Sequence, residues 1–136
     1  LGAEEYAPDQ GVSVSPDGDR VAYVDKDGKV RILNLSNGRI STVPGRTLDQ
    51  VEILSTWTSD GRFLFLDLPL GIPGRIDRLE VSTGRREIWK RLMPEDPTGV
   101  TAIGSIEVSP DGETYAYTYY RNLVDDLYLV DGLSTK

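Results

Sequence analysis

Hydrophobic and polar residues alternate in short segments along most of this chain, and turn-forming residues separate the segments. Residues 21–23, 64–66 and 115–117 form the centres of three such segments and read Val-Ala-Tyr, Leu-Phe-Leu and Tyr-Ala-Tyr. Segments rich in aromatic and β-branched residues with a period of two are typical of β-strands. No segment shows a convincing helical period, so the pattern predicts an all-β protein.

A turn of nearly constant composition precedes each of these segments. It reads Ser-Pro-Asp-Gly at residues 15–18 and 109–112, and Thr-Ser-Asp-Gly at residues 58–61. Proline presets φ for a turn, aspartate suits the next position, and glycine takes a left-handed conformation without strain. A second marker, Leu-x-Leu/Val-x-x-Gly, recurs at residues 33–38, 79–84 and 127–132. Two markers in similar register indicate three copies of one unit.

Each copy is interpreted as four short antiparallel strands. In the first copy the predicted strands are residues 11–15, 20–24, 30–35 and 39–43. Four strands in about 45 residues, joined by Asp-Gly turns, are typical of a β-propeller blade. The expected blades are residues 9–46, 50–94 and 100–133, within a single partial propeller spanning residues 1–136.

The repeat also resembles a known family. The segments SPDGDRVAYV and SPDGETYAYT resemble the TolB-like or WD40-like (PD40) propeller repeat, and TYAYTYYRNLVDDLYLVDGL is similar to the closing segment of propellers attached to bacterial serine/threonine kinases. The resemblance implies a sensory or scaffolding role and a periplasmic or other extracytoplasmic location. No kinase motif is present in this sequence.

Three blades are too few to close a propeller ring, which needs at least about four. The third unit also stops after its third strand, so two blade faces are expected to stay uncovered. We therefore expect two copies to pair about a two-fold axis into a six-bladed ring with an exchanged terminal strand. The alternative is that the chain is a fragment of a larger bacterial protein.

Composition excludes several kinds of chemistry. The chain contains neither histidine nor cysteine, which excludes a Ser-His-Asp triad, a cysteine nucleophile and an ordinary zinc site. A formal net charge of −7 gives no basic surface for nucleic acid or anionic membranes. Residues 25–28 begin like a calcium loop but lack its later glutamate, and a hairpin turn is the preferred interpretation. We predict no catalytic residue, metal or cofactor, and no nucleic-acid or membrane partner.

The candidate binding surface follows from two insertions. The loop at residues 67–77 and the connection between residues 84 and 111 are longer than their counterparts, and both map to one face of the blades. Loops on a rigid scaffold often carry function. The third copy adds a loop with two tyrosines and an arginine, which are common in binding hot spots. The predicted binding residues are Tyr119, Tyr120, Arg121, Asp126, Arg75 and Glu107.

These residues also have structural interpretations. Tyr119 and Tyr120 would then cover the rim of the core, and Glu107 would be a hydrated residue of the channel wall. Trp57 is predicted to be in the core, and Trp89 to pack on the outer strand.

The favoured function is a non-catalytic interaction or scaffold module that binds a protein or a small ligand. The alternative is the propeller portion of a hydrolase, either lactonase- or esterase-like or associated with a peptidase. A cation-dependent hydrolase would require several carboxylates in the channel and a general base.

Overall fold

The computed structural model describes residues 6–123, and the helical content of this part is a single 3₁₀ turn, Pro8–Gln10. The strands of the described part are β1 (Val12–Val14), β2 (Arg20–Val24), β3 (Val30–Asn34), β4 (Ile40–Thr42), β5 (Ile53–Trp57), β6 (Phe63–Leu68), β7 (Gly74–Glu80), β8 (Arg86–Leu92), β9 (Val100–Val108) and β10 (Tyr115–Arg121). No helix among residues 6–123 has the length and apolar character needed to cross a bilayer.

The strands form three antiparallel sheets in chain order. The first sheet has the order β1-β2-β3-β4, the second β5-β6-β7-β8, and the third pairs β9 with β10. The first strands of the sheets are neighbours, since β1 lies beside β5 and β5 beside β9. This stacking of four-stranded meanders is that of propeller blades. The last predicted strand, with the marker at residues 127–132, lies outside the described residues.

The recurring turn has the same hydrogen bonds in each copy. Ser15 Oγ donates to Asp17 Oδ1 at 2.5 Å, and Asp17 Oδ1 also accepts from the backbone amide of Asp19 at 3.0 Å. Equivalent bonds connect Thr58 with Asp60 and Ser109 with Asp111. The glycine that follows has a φ of +74°, +68° and +72° in the three turns. The aspartate therefore closes the turn and the glycine provides its left-handed residue.

Alternate residues of β6 enter two different cores. Leu64 and Leu66 pack between the first and second sheets, whereas Phe65 packs between the second and third. Trp57 is 1 % exposed in the first core, as predicted, and its indole N–H donates to the carbonyl of Ser13 at 3.0 Å. Trp89 is half-buried in the second core, with its ring centroid 4.8 Å from that of Phe65. Because successive side chains of a strand point to opposite faces, the second sheet holds the other two together.

A buried cluster of charges attaches the β4–β5 connection to the second sheet. Glu52 is 1 % exposed and accepts hydrogen bonds from Arg46 at 2.7 Å and from Arg86 at 2.5 Å. Arg86 also pairs with Asp77 at 2.6 Å. Burial alone would raise the pKa of Glu52, but the hydrogen bonds from Arg46 and Arg86 outweigh it and lower the pKa to about 2.

The described sheets do not close into a ring. Val12 and Val14 of the innermost strand of the first sheet are 47 % and 57 % exposed. They face the side of this sheet that points away from the first core, together with Val21 and Tyr23, their partners on β2. The chain is thus an all-β protein of open β-propeller blades.

Candidate functional site

A groove of about 440 Å³ lies where the second sheet meets the β6–β7 loop, and we call it the loop groove. Apolar side chains form most of its wall, and two arginines complete it. Its lining residues are Val51, Leu68, Pro69, Leu70, Gly71, Pro73, Arg75 and Arg91. The volume falls within the range of about 300–1,000 Å³ that is usual for ligand pockets.

The loop that forms the groove is attached to the third sheet. The backbone amide of Leu70 donates to the carbonyl of Ile103 in β9 at 2.8 Å. Gly74 packs against the side chain of Ile103, where a Cβ would lie only 2.7 Å away. Leu70 itself has a φ of +70° and is 65 % exposed. The loop therefore presents an apolar side chain from a left-handed residue, a conformation that costs roughly 1–2 kcal/mol for a residue other than glycine.

The two arginines of the loop groove differ in their partners. Arg75 pairs with Asp77, with Nε 2.8 Å from Oδ1 and Nη2 donating to Oδ2 at 3.0 Å. Arg91 is exposed and lies opposite Arg75 on β8, and it forms no ion pair within residues 6–123. The predicted binding residue Arg75 is thus held by a buried carboxylate, and its neighbour Arg91 has the free guanidinium. Arg91 is not among the binding residues predicted from the sequence, because the linear sequence does not show that β8 brings it beside the β6–β7 loop.

The prediction that Tyr119, Tyr120 and Arg121 lie in a loop is wrong. All three belong to β10, because β9 starts at Val100 and pairs with β10 as far as Arg121. Tyr119 is opposite Ile103, so its side chain lies on the same face as the residue that anchors the loop. Tyr120, 61 % exposed, points to the opposite face, as successive strand residues do. The two tyrosines therefore do not form a single aromatic surface.

Arg121 has a structural partner rather than a free guanidinium. Its Nη1 is 3.4 Å from Asp96 Oδ2, Nη2 donates to the carbonyl of Asp96, and its guanidinium lies 5.4 Å from the ring centroid of Tyr119. The β8–β9 connection is thereby held against the end of β10. The register places this connection and the β6–β7 loop at the same end of the strands, as predicted from the two insertions.

Glu107 does not join this surface. Glu107 is exposed on β9 opposite Ala116, several residues along the strand from Ile103. Asp126 lies outside the described residues. The structure thus brings Arg75 and Tyr119 near the same loop and leaves Glu107 elsewhere.

Asp67 is a chemically unusual residue that sequence reasoning did not select. It is 5 % exposed, and its Oδ1 has no hydrogen-bond partner in the described part of the chain. Burial raises the pKa of Asp67 to about 7, against a lowering by the Ser55 hydroxyl and with a further rise from the charge of Glu107. The signal in the sequence was an aspartate within the otherwise apolar strand Phe63–Leu68.

Within residues 6–123 no group of three or more acidic side chains is arranged to hold a metal ion. Asp25, the first residue of the calcium-like segment, accepts hydrogen bonds from the backbone amides of Asp27 and Lys29, both at 2.9 Å. Arg31 pairs with its other oxygen at 2.8 Å. Its carboxylate is therefore occupied in closing the turn between β2 and β3.

The sequence matches no protein-family model and no curated protein. The fold is similar to solved structures. TolB from Acinetobacter baumannii has a TM-score of 0.54 and 19 % identity, over 84 % of this chain and 27 % of TolB. A protein from Lactobacillus plantarum has a TM-score of 0.51 and 22 % identity, over 82 % of this chain and 34 % of that protein.

The chain spans about a quarter to a third of the length of these two proteins. At this level of identity the similarity concerns the fold. The chain is therefore a TolB-like β-propeller in its fold, as the repeat predicts.

Proposed function

We propose that the chain is a non-catalytic interaction module that binds a partner protein at the loop groove. The observation that carries the proposal is Leu70, an exposed apolar side chain on a left-handed residue whose amide is bonded to Ile103. Local strain of this kind is concentrated at ligand clamps and other functional sites. Tyr119 is 45 % exposed and pairs with Ile103, the residue whose carbonyl accepts from the Leu70 amide.

Site-specific photo-crosslinking in the cells that produce the protein tests this proposal. A benzophenone amino acid replaces Leu70 or Tyr119 in two variants, and Leu35 in a control variant. Leu35 is 53 % exposed but lies in the turn between β3 and β4. We expect a discrete protein adduct from positions 70 and 119 and none from position 35. The proposal is wrong if positions 70 and 119 give no adduct, or the same adducts as position 35.

A second candidate function is self-association through the uncovered face of the first sheet. Val12, Val14 and Ile40 are between 47 % and 57 % exposed, an unusual density of apolar side chains for one side of a soluble sheet. We propose that two copies pair through such faces into a six-bladed ring. Each copy would then act as a half propeller, in the scaffolding role that the resemblance to kinase-attached propellers suggests.

Light scattering at micromolar concentration tests the pairing. We expect a dimer for the unchanged chain and a monomer for Val14→Asp, which adds a charge to the exposed face. Leu35→Asp adds the same charge in the β3–β4 turn and should leave the dimer intact. A monomer for the unchanged chain would contradict self-association and leave the proposal for the loop groove standing.

A hydrolase remains the alternative from another class. A cation-dependent hydrolase would need several carboxylates close together. The described carboxyls considered for this role are Asp67 and Glu107, because the charge of Glu107 acts on Asp67. A screen of ester and lactone substrates with added divalent cations tests this alternative. Turnover that disappears in Asp67→Asn would contradict a non-catalytic role.

A further inference from the structure

We infer that the loop groove binds the C-terminal residue of a partner polypeptide, with an aliphatic or aromatic side chain between the loop and Val51 and the free carboxylate on Arg91. The inference rests on the proposed function and specifies its ligand. It follows from the charge, the apolar wall and the rigidity of the groove.

The charge of the groove fits one carboxylate. Arg75 is occupied because both of its contacts go to the two oxygens of Asp77. The guanidinium of Arg91 has no ion-pair partner among residues 6–123, and a guanidinium can bind a carboxylate through two parallel hydrogen bonds. The formal net charge of −7 disfavours a ligand that carries several acids. A ligand with a single carboxylate is therefore the best electrostatic match.

The apolar wall accounts for the rest of the ligand. Val51 and Leu70 are 55 % and 65 % exposed, and Pro69 and Pro73 belong to the same lining. An apolar side chain placed there would cover surface that is now in contact with water. In a C-terminal residue the carboxylate and the side chain are attached to the same Cα atom. A C-terminal residue can therefore place its carboxylate on the arginine and its side chain on the apolar wall of the same groove.

The groove is also preorganised for binding. The amide of Leu70 is fixed on Ile103, and Gly74 packs directly on the same residue. A loop that is already ordered loses little conformational entropy when the ligand binds. The left-handed backbone conformation of Leu70 would then serve to hold its side chain at the edge of the groove.

Peptide binding to the whole chain tests the inference. The probes are four pentapeptides, Gly-Gly-Ser-Gly followed by Val, Leu, Ile or Phe, each labelled at its N-terminus with a dye of no net negative charge and prepared with a free C-terminal carboxylate and as the amide. Fluorescence anisotropy measures their dissociation constants. We expect at least one free acid to bind, and its amide to bind at least about tenfold more weakly, since the charge-assisted contact is lost.

Variants locate the contact. Arg91→Gln should weaken binding of the free acid about tenfold and abolish the difference between acid and amide. Arg39→Gln removes the same charge from an exposed position just before β4 and should leave binding unchanged. Leu70→Gly should weaken binding without lowering the melting temperature, because glycine relieves the left-handed strain.

Three results would overturn the inference: no free acid binds at millimolar concentration, acid and amide bind equally, or Arg91→Gln behaves like Arg39→Gln. If position 70 cross-links to a protein and none of the acids binds, the partner uses another part of its chain. In that case the proposed function stands and this inference fails. If the acids bind and no cross-link forms in cells, the groove has the inferred chemistry but the proposed cellular function is wrong.

Discussion

Asp67 carries a carboxyl group in surroundings that disfavour its charge. Because its pKa in the folded chain, about 7, lies above the ordinary value of 3.8, the folded state binds this proton more tightly than the unfolded chain does. The free energy of unfolding should therefore fall as the pH rises from about 4 through about 7, and then level off. The chain has no histidine or cysteine, so few other groups titrate between pH 5 and pH 8.

Asp67→Asn should remove this pH dependence, because the amide resembles the neutral carboxyl and cannot ionise. We expect the stability advantage of the variant over the unchanged chain to grow by about 2–3 kcal/mol between pH 5 and pH 8. Urea unfolding at pH 5, 6, 7 and 8 measures the difference. Asp9→Asn, at an exposed position, is the control. Parallel pH profiles for the unchanged chain and Asp67→Asn would show that Asp67 is ionised without cost in the folded state.

Glu52 gives the opposite pH dependence. Its pKa is lowered to about 2, so its stabilising contribution is present above the ordinary value of 4.5 and is lost as the pH falls toward 2. Glu52→Gln at pH 7 should destabilise the chain by about 3 kcal/mol, because Arg46 and Arg86 lose their shared carboxylate. Urea unfolding measures the loss.

The matched control for Glu52 is Glu80→Gln. Glu80 pairs at 3.4 Å with Arg62, whose side chain is 65 % exposed, so the expected change is about 0.5 kcal/mol or less. Equal losses for the two variants would mean that burial adds nothing to the Glu52 cluster. The sequence could not predict this cluster, since Arg46, Glu52, Asp77 and Arg86 are far apart along the chain and meet only through the packing of two sheets.

Among the elements, the strands were the most predictable feature. β2 occupies residues 20–24 as predicted, because a turn and an Asp-Gly hairpin delimit it on both sides. The end of β10 was not predictable in the same way. The tyrosines and the arginine after residue 117 were predicted to form a loop, yet no glycine, proline or aspartate interrupts residues 115–121. Tyrosine and threonine favour strands, and pairing with the long β9 continues the strand to Arg121.

The Thr-Ser-Asp-Gly turn departs from the other two copies for a reason that only the structure reveals. Ser59 replaces the proline, and its backbone amide donates to the carbonyl of Pro110 in the turn of the third copy at 2.8 Å. Proline has no amide hydrogen and could not make this bond. The serine in place of proline thus permits a hydrogen bond between two neighbouring turns.

Ser59→Pro should therefore destabilise the chain, although it restores the turn sequence of the other copies. The loss of the hydrogen bond and the approach of the proline ring to the Pro110 carbonyl should together cost roughly 1–2 kcal/mol. Thermal unfolding measures the change. Pro16→Ser, the reverse exchange in the first turn, is the control and should change stability only by the small effect of a more flexible unfolded chain. A higher melting temperature for Ser59→Pro would mean that the bond to Pro110 contributes less than the turn preference.

For the whole molecule, the repeat predicted the all-β fold of stacked propeller blades. The loop groove was only partly predictable. The insertion at residues 67–77 contains the loop that lines the groove, but the contact of that loop with Ile103 depends on the stacking of the second and third sheets. Contacts between blades are set by three-dimensional packing, and a repeat in sequence does not specify them.

The two cores should differ in local stability. The first core packs two four-stranded sheets together, whereas the second joins a four-stranded sheet to the two described strands β9 and β10. Ala22, Tyr23 and Val24 of β2 are buried, whereas every residue of β10 is exposed or half-buried. Strands with few buried apolar side chains open locally at a lower free energy. We therefore expect the β9–β10 hydrogen bonds to open at a lower free energy than those of β2–β3.

Native-state hydrogen exchange measures both opening free energies in the unchanged chain. Because β9 anchors Leu70, opening of the third sheet should also release the loop of the groove. A bound peptide acid should then slow exchange in β9–β10 more than in β2–β3, since a ligand stabilises the state that binds it. The variant Arg91→Gln should show no such slowing with the same peptide. Equal protection of the two strand pairs without peptide would contradict the predicted order of stability, and equal slowing with peptide would mean that the groove does not depend on the third sheet.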